Sequence, residues 1–423
     1  MSAAGLEVST EPVATSRRRR LHLTPLHWVG VVLGAVLLVS VLRVVTGAND
    51  VDSSGLLIAA FGLAVPIALA GLGGLWSERA GVVNIGLEGM MILGTWGAGF
   101  LGYHLGAWWG LVGAVVGGAV GALIHAVATV TFGVDHIVSG VALNIVALGF
   151  AKYLSVRFFS TLPGGGPTQS PQLPQLPSFS VPWLSDALGD LEQQRIFFVS
   201  DLAAVLRALC TNVNVLTLIA VALFVATWWI LWRSAFGLRL RSVGESPVAA
   251  ESLGVDVIRY KFLAVLVSGG LAGLGGGFLA LVAANVFRDG QTGGRGYIGL
   301  AAMIFGNWRP GGLLAGSALF GYTDAAQLRG GGTTVHAFLL LLALLLIGIG
   351  VWQIVRRGRR VQGALAVVVG LVVGLWYFTT DVVPPELSGT TPYITTLLVL
   401  AFASQRLRMP AADGQVYRKG EGH

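Results

Sequence analysis

The chain has 423 residues, of which 54% are hydrophobic and only 11% charged, with a mean hydropathy of +0.76. That composition excludes a water-soluble globule with a polar surface and identifies an all-α, polytopic helical membrane protein. The net charge of +7 does not point to nucleic acid, because the arginines gather between and beside apolar runs, as topology-fixing loop charges do, and no basic soluble domain is present.

Residues 1–27 are polar, carry Arg17 to Arg20 and read as a basic cytoplasmic tail. The apolar run Trp28 to Val45 exceeds a signal-peptide core and reads as a retained first span. Further spans are expected at 56–75, 83–102, 108–132 and 137–158, each near the roughly 20 residues that a bilayer requires.

The stretch Leu75 to Gly94 interrupts this series with Ser77, Glu78, Arg79, Asn84 and Glu88, together with Gly81, Gly86, Gly89 and Gly94. Charges inside a membrane are expensive, at about 2.5 to 3.5 kcal/mol each on insertion scales, and glycine is retained where backbones pack closely or unwind. We read a helix end, a broken segment and a new helix start. Asn84 and Glu88 are then either pathway groups or, more simply, the cap and the first-turn charge of the new helix.

Region 159–213 is the longest polar interruption. Its Pro-, Gly- and Ser-rich first part is expected to be extended, as a cover over the outer mouth or as a plain tether. After a span at 214–232, the basic region 234–259 is cytoplasmic by the positive-inside rule. Within it Ser246 can cap a short helix, Pro247 suits its first position and Gly254 ends it. Such a helix is either a handle for a partner or an ordinary loop element.

The span at 260–283 carries the small-residue strip SGGLAGLGGG, which is a packing face and not a nucleotide loop. Arg295 to Arg309 is too short for a full helical span and reads as a half-helix or a short tilted span. It echoes the earlier break (RGYIGLAA beside RAGVVNIG) from the opposite side, which points to an inverted-topology repeat. Spans at 311–328, 335–355, 362–380 and 391–405 follow. Counting 295–310 as crossing keeps the cluster Arg356 to Arg360 cytoplasmic, and yields twelve spans with both termini inside.

Other chemistries are poorly served. The single Cys210 excludes an internal disulfide, and the scattered histidines, with His125 and His136 expected at membrane edges, have no metal-binding spacing. Lys152, Lys261 and Lys419 are the only lysines and none follows a glycine, so a Walker A motif is absent. Paired carboxylates or a nucleophile beside a base are absent from the spans, which argues against an enzyme.

Three blocks in order carry a resemblance: SERAGVVNIGLEGMM at 77–91, GLRLRSVGESPVAAESLGVDV at 237–257, and GRGYIGLAAMIFGNWRPGGLLAGSALFGYTDAAQ at 294–327. They resemble the permease subunits of ABC importers of the branched-chain amino acid, ribose and nucleoside group, most of all its nucleoside or simple-sugar branch. The resemblance covers about 55–330 and the stretch TPYITTLLVLAFASQRLRMP. It implies that 28–405 is the permease domain, with 406–423 a cytoplasmic tail. It also makes Gly244, Glu245, Pro247, Ala249, Ala250 and Gly254 an ATPase-coupling segment. The partners implied are an ATP-binding subunit that holds the ATP, a second permease in a heterodimer, an extracytoplasmic substrate-binding lipoprotein and membrane lipid. This chain itself would carry no cofactor. The apolar hairpin at 335–380 departs from the family pattern. Asn84, Glu88, Asn144, Thr292 and Tyr297 are the expected pathway groups, better suited to a nucleoside than to a zwitterion. A secondary transporter or channel working alone is the competing reading.

Overall fold

The computed structural model of the protein describes residues 25–403 and 407–420, with side chains over 29–399 and 407–420. Arg17 to Arg20 and Arg406 lie outside the described residues.

The described helices are arranged between two faces. They are α1 (Pro25–Thr46), α2 (Ser54–Arg79), α3 (Leu87–Leu105), α4 (Ala107–Ala126, continued by a π turn to Thr131) and α5 (His136–Phe158). After α6 (Pro182–Gln193) and α7 (Val199–Cys210) come α8 (Val215–Arg233), α9 (Ala235–Glu245), α10 (Pro247–Ser252) and α11 (Val257–Phe278, with a π turn to Ala283). The remainder comprises α12 (Arg295–Phe305), α13 (Pro310–Arg357), α14 (Arg360–Thr379), α15 (Pro385–Ser388) and α16 (Thr391–Ala403). Eight of these helices are individually long and apolar enough to cross a membrane. One of them, α13, contains two passes, broken at Gly331 with φ 59° and ψ −154°, so the expected separate spans at 311–328 and 335–355 join through a glycine kink. We call the face bearing residues 159–213 the loop face, and the face bearing α9, α10 and residues 407–420 the tail face.

The core is built on α11, the most buried pass. Its small-residue strip lies against α2, α3 and α4. A Cβ added to Gly273 would overlap the Ala114 carbonyl, one on Gly118 the Gly269 carbonyl, and one on Gly94 the Gly273 backbone. Without a hydrophobic drive between helices in lipid, such backbone-to-backbone approach and its dispersion contacts provide much of the association.

The extended part of the 159–213 region is not a loose tether. Asp289 N donates to Thr168 O, Ser170 N to Phe287 O and Leu173 N to Asn285 O, so it is laid along the loop that precedes α12. The rest of this region forms the α6–α7 pair, amphipathic helices that the spacing of polar residues did not disclose. This pair is fixed to the spans through charge. Arg43 lies 3.3 Å from Asp52 and 2.8 Å from Asp201, and Ser54 N donates to Glu192 at 2.9 Å.

Two predictions follow from this packing. Gly273→Val should lower the thermal midpoint of the detergent-solubilised protein by several degrees, because overpacking costs about 1 to 3 kcal/mol. Gly149→Ala, inside α5 where an added Cβ meets nothing within 4 Å, should hold or slightly raise it. The second concerns the loop face, where burial and then the neighbouring Asp201 push the Asp52 carboxyl up to about 7. Between the ordinary carboxylate range and that value the folded state holds the extra proton, so stability falls as pH rises through about 7. Hydrogen exchange of α7, corrected for intrinsic rates, should quicken across that window and lose its pH dependence in Asp52→Asn.

Candidate functional site

The break after α2 is a backbone device written in the sequence. Gly81 takes φ +80°, Gly81 N donates to Glu78 O and Val82 N to Ser77 O. This is the double bond of a Schellman end, for which glycine is the natural residue. Residues 80–86 then rise without helical structure, and α3 starts only at Leu87 instead of at 83.

Two histidines hold this riser. His136 Nδ1 accepts from Val83 N at 3.2 Å, while His125 Nε2 lies 3.1 Å from Val83 O and its Nδ1 lies 2.9 Å from Ser139 Oγ. A carbonyl only accepts, so His125 carries its proton on Nε2, and His136 leaves Nδ1 free to accept. Both side chains are buried. They therefore clamp one residue's backbone instead of sitting at a lipid edge. Nothing in their spacing announced this role, since the clamp joins two helix ends to a loop some fifty residues away.

The expected half-helix is α12. Its eleven residues span about 16 Å, half of the hydrocarbon core. Gly299 packs on Gly71 and the Ile67 carbonyl, Met303 against Gly74, and Trp308 O meets Arg79, so α12 starts level with the middle of α2 and ends at the tail face. The outer half of this pass is the irregular loop 284–294. Helix α3 leaves the same depth toward the loop face, so the two first turns meet inside the protein and point in opposite directions.

Where they meet, Glu88 accepts from Gly294 N at 2.9 Å through Oε1 and from Gly296 N at 2.7 Å through Oε2. One carboxylate of α3 therefore caps another helix, satisfying two of its four open N–H groups with favourable charge. Asn144 of α5 completes the junction. Its Oδ1 accepts from Gly89 N at 2.7 Å, and its Nδ2 donates to Ile85 O and Tyr297 OH, each at 2.9 Å. Glu88 and Asn144 are buried, whereas Tyr297 is 46% exposed.

The other two expected pathway residues are not part of this junction. Asn84 is no helix cap, because that position is Gly86. Instead it donates to Ser268 Oγ of α11 at 2.9 Å and is fully buried, with its Oδ1 unpartnered. Thr292 is buried in the loop above α12, where its carbonyl accepts from Arg295 N.

The far end of α12 is held by the same sequence stretch. Asn307 and Trp308 both take positive φ, +55° and +51°. Arg79 donates to Trp308 O at 2.6 and 3.0 Å, and the Trp308 indole donates to Glu78 at 2.6 Å. Arg79 also faces Glu245 at the end of α9, 4.0 Å away, and stacks over Trp232.

The coupling segment divides by orientation. Gly244 is packed so that a Cβ would overlap the Arg79 carbonyl, and Ala250 is the buried residue of α10. Pro247 occupies the first turn, and Glu245 and Ala249 are exposed beside Val248 and Leu253, the last 84% exposed. Gly254, φ +80°, closes α10 with Val255 N on Ala250 O and its own N on Glu251 O. One expectation fails: the Ser246 side chain makes no capping bond. Helix α9, leading into the segment, was not foreseen either.

A multi-pass helical protein with a half-helix buried at mid-depth and a short exposed helix on one face is built as a transport subunit. Residues 56–350 match the sequence profile described as the branched-chain amino acid transport system / permease component, and the chain belongs to that family. It is 38% identical over 274 residues to the guanosine ABC transporter permease protein NupQ of Bacillus subtilis (strain 168), covering 63% of this chain and 80% of that one. It is 31% identical over 369 residues to the nucleoside ABC transporter permease protein NupC of Lactococcus lactis subsp. cremoris (strain MG1363), covering 84% and 94%. A glucose ABC transporter permease protein of Haloferax volcanii is 28% identical over 298 residues, covering 65% and 73%. No solved structure matches significantly. The chain is thus a membrane permease component working with ATP-binding and substrate-binding components, and not an enzyme.

The junction yields a stability prediction. Glu88→Ala leaves one buried and one part-buried N–H group open and should destabilise the protein by about 2 kcal/mol, while Glu88→Gln, which keeps one acceptor, should fall between. Thermal unfolding of the purified variants tests the order.

Proposed function

We propose that this chain forms, with a second and different permease, the membrane pathway for a nucleoside delivered by an extracytoplasmic binding lipoprotein, in a bacterial plasma membrane. The observation that carries the substrate class is the state of Glu88. Both of its oxygens accept from backbone N–H groups and the side chain is buried, so the carboxylate is engaged in the junction and is not presented to a solute's amino group. What it does offer is the Tyr297 hydroxyl, which the Asn144 amide positions, and the exposed Tyr297 ring. A ribose and base need such hydrogen bonds and an aromatic wall. The relatives named for guanosine and nucleosides favour the same choice, and the glucose permease relative keeps a simple sugar as the second reading. Asn84 and Thr292 would reach the solute only in a more open state.

The tail face is read as cytoplasmic, with both termini there. Arg233, Arg239, Arg241, Arg259, Arg309 and Arg356 to Arg360 all lie on it, as the positive-inside rule requires. The exposed Val248, Ala249 and Leu253 of α10 then face the ATP-binding subunit, and the loop face meets the lipoprotein. The second permease covers the apolar side of α5 and α12, where Ile145 is 69% exposed beside the pathway groups. Residues 335–380 are read as an added hairpin at the rim of the permease domain.

Calorimetry of the cognate binding lipoprotein with adenosine, guanosine, uridine, ribose, glucose and leucine decides the substrate. Tight nucleoside binding is expected; a sugar bound alone moves the assignment to the second reading, and leucine alone overturns both. A cysteine at Leu253 should crosslink to the ATP-binding subunit, and Leu253→Asp should abolish ATP-dependent uptake while the protein stays in the membrane.

A further inference from the structure

Residues 407–420 are not a free tail. Arg408 N donates to Asn307 Oδ1 at 2.7 Å, at the left-handed turn that ends α12. Three residues on, Ala411 N reaches Glu245 Oε2 at 3.3 Å and Ala412 N donates to Gly244 O at 2.9 Å, both at the end of α9. Lys261 of α11, itself buried, donates to Gln415 O and to Gly81 O of the riser, each at 3.4 Å. Asp413 is buried against Glu78, the residue whose carboxylate holds the Trp308 indole. Finally Tyr417 packs into the apolar cluster of Val243, Ala250 and Val257 under α10, with its hydroxyl on Glu251. One short segment therefore touches α9, α10, α11, the riser and the far end of α12.

The segment thus reaches the cluster under α10 at one end and the α12 turn at the other. Burial and then the adjoining Glu78 also push the Asp413 carboxyl up to about 9, which favours its protonated form where it is buried against Glu78. We propose that residues 407–417 are a strap that carries movement of α10 to α12, with Asp413 and Tyr417 as its positioning residues. The inference rests on the reading of α10 as the helix that the ATP-binding subunit moves.

The test uses the complete transporter in proteoliposomes with Cys210→Ala as background and Tyr297→Cys as reporter on α12. The rate of thiol labelling at position 297 is compared without nucleotide and after trapping with ATP and vanadate. The strap predicts a clear nucleotide-dependent change that Asp413→Ala and Tyr417→Ala each reduce about fivefold or more. The conservative Asp413→Asn and Tyr417→Phe should stay within about twofold of the parent. ATP hydrolysis should persist in all of them. A full change in both alanine variants overturns the strap, as does hydrolysis lost in proportion with the change, which would mark a merely structural role. In the same preparations the Leu253→Cys crosslink monitors docking. Its absence in the parent sinks the docking reading, and this inference with it, whereas a normal crosslink with unaltered alanine variants sinks the strap alone.

Discussion

A helix that begins in the middle of a membrane protein leaves its first N–H groups without helical partners, and the fold depends on how this chain answers them. Each open group costs about 1 to 3 kcal/mol if buried unpaired. Glu88 answers two with one side chain placed at the positive end of the helix dipole. The carboxylate is itself held in place because α3 also starts at that depth, on the riser that Gly81 opens and His125 and His136 secure. At the other end Glu78 and Arg79 fix Trp308. A single stretch, 77–89, thus fastens α12 top and bottom.

That fastening explains the glycines around it. To bring Glu88 onto Gly294 and Gly296, α3 must lie in contact with the start of α12, and a Cβ at Gly296 would meet the Glu88 backbone at 2.6 Å. The same closeness recurs at Gly71 with Gly299 and at Gly94 with Gly273. The small-residue seams are therefore the means by which two half-depth helix starts share one carboxylate, and not merely a general adhesive.

Much of this was legible in the sequence, and the reasons for the rest are physical. Charges between apolar runs and glycine at a helix end mark a break whatever the tertiary fold, so the break at 80–86, the half-helix α12 and the Gly254 end of α10 could be read directly. The grouping of Glu88, Asn144 and Tyr297 was expected in kind but not in geometry, since Asn144 lies 153 residues from Tyr297 and only the fold brings them together. Of the two readings of Asn84, the cap fails, because Gly86 holds that position and the Asn84 side chain pairs with Ser268 of α11. The α6–α7 pair and the histidine clamp left no sequence signal, because their partners are backbone groups and charges supplied by distant elements.

The contacts also define a mechanical order. Gly244 rests on the Arg79 carbonyl, Arg79 grips Trp308, α12 is eleven residues of continuous helix, and its first turn ends on Glu88 and, through Tyr297, on Asn144. Packed interiors transmit displacement because they are nearly incompressible. A displacement at the α9–α10 turn must therefore either pass along this row of contacts or break one of its bonds. Moving the start of α12 away from α3 would break the Glu88 bonds and strand a carboxylate and two N–H groups together, so the glycine seams and the shared carboxylate hold the two helix starts as one body. The groups proposed to meet the solute sit on that body, at the end of α12 that is tied to α3 and α5.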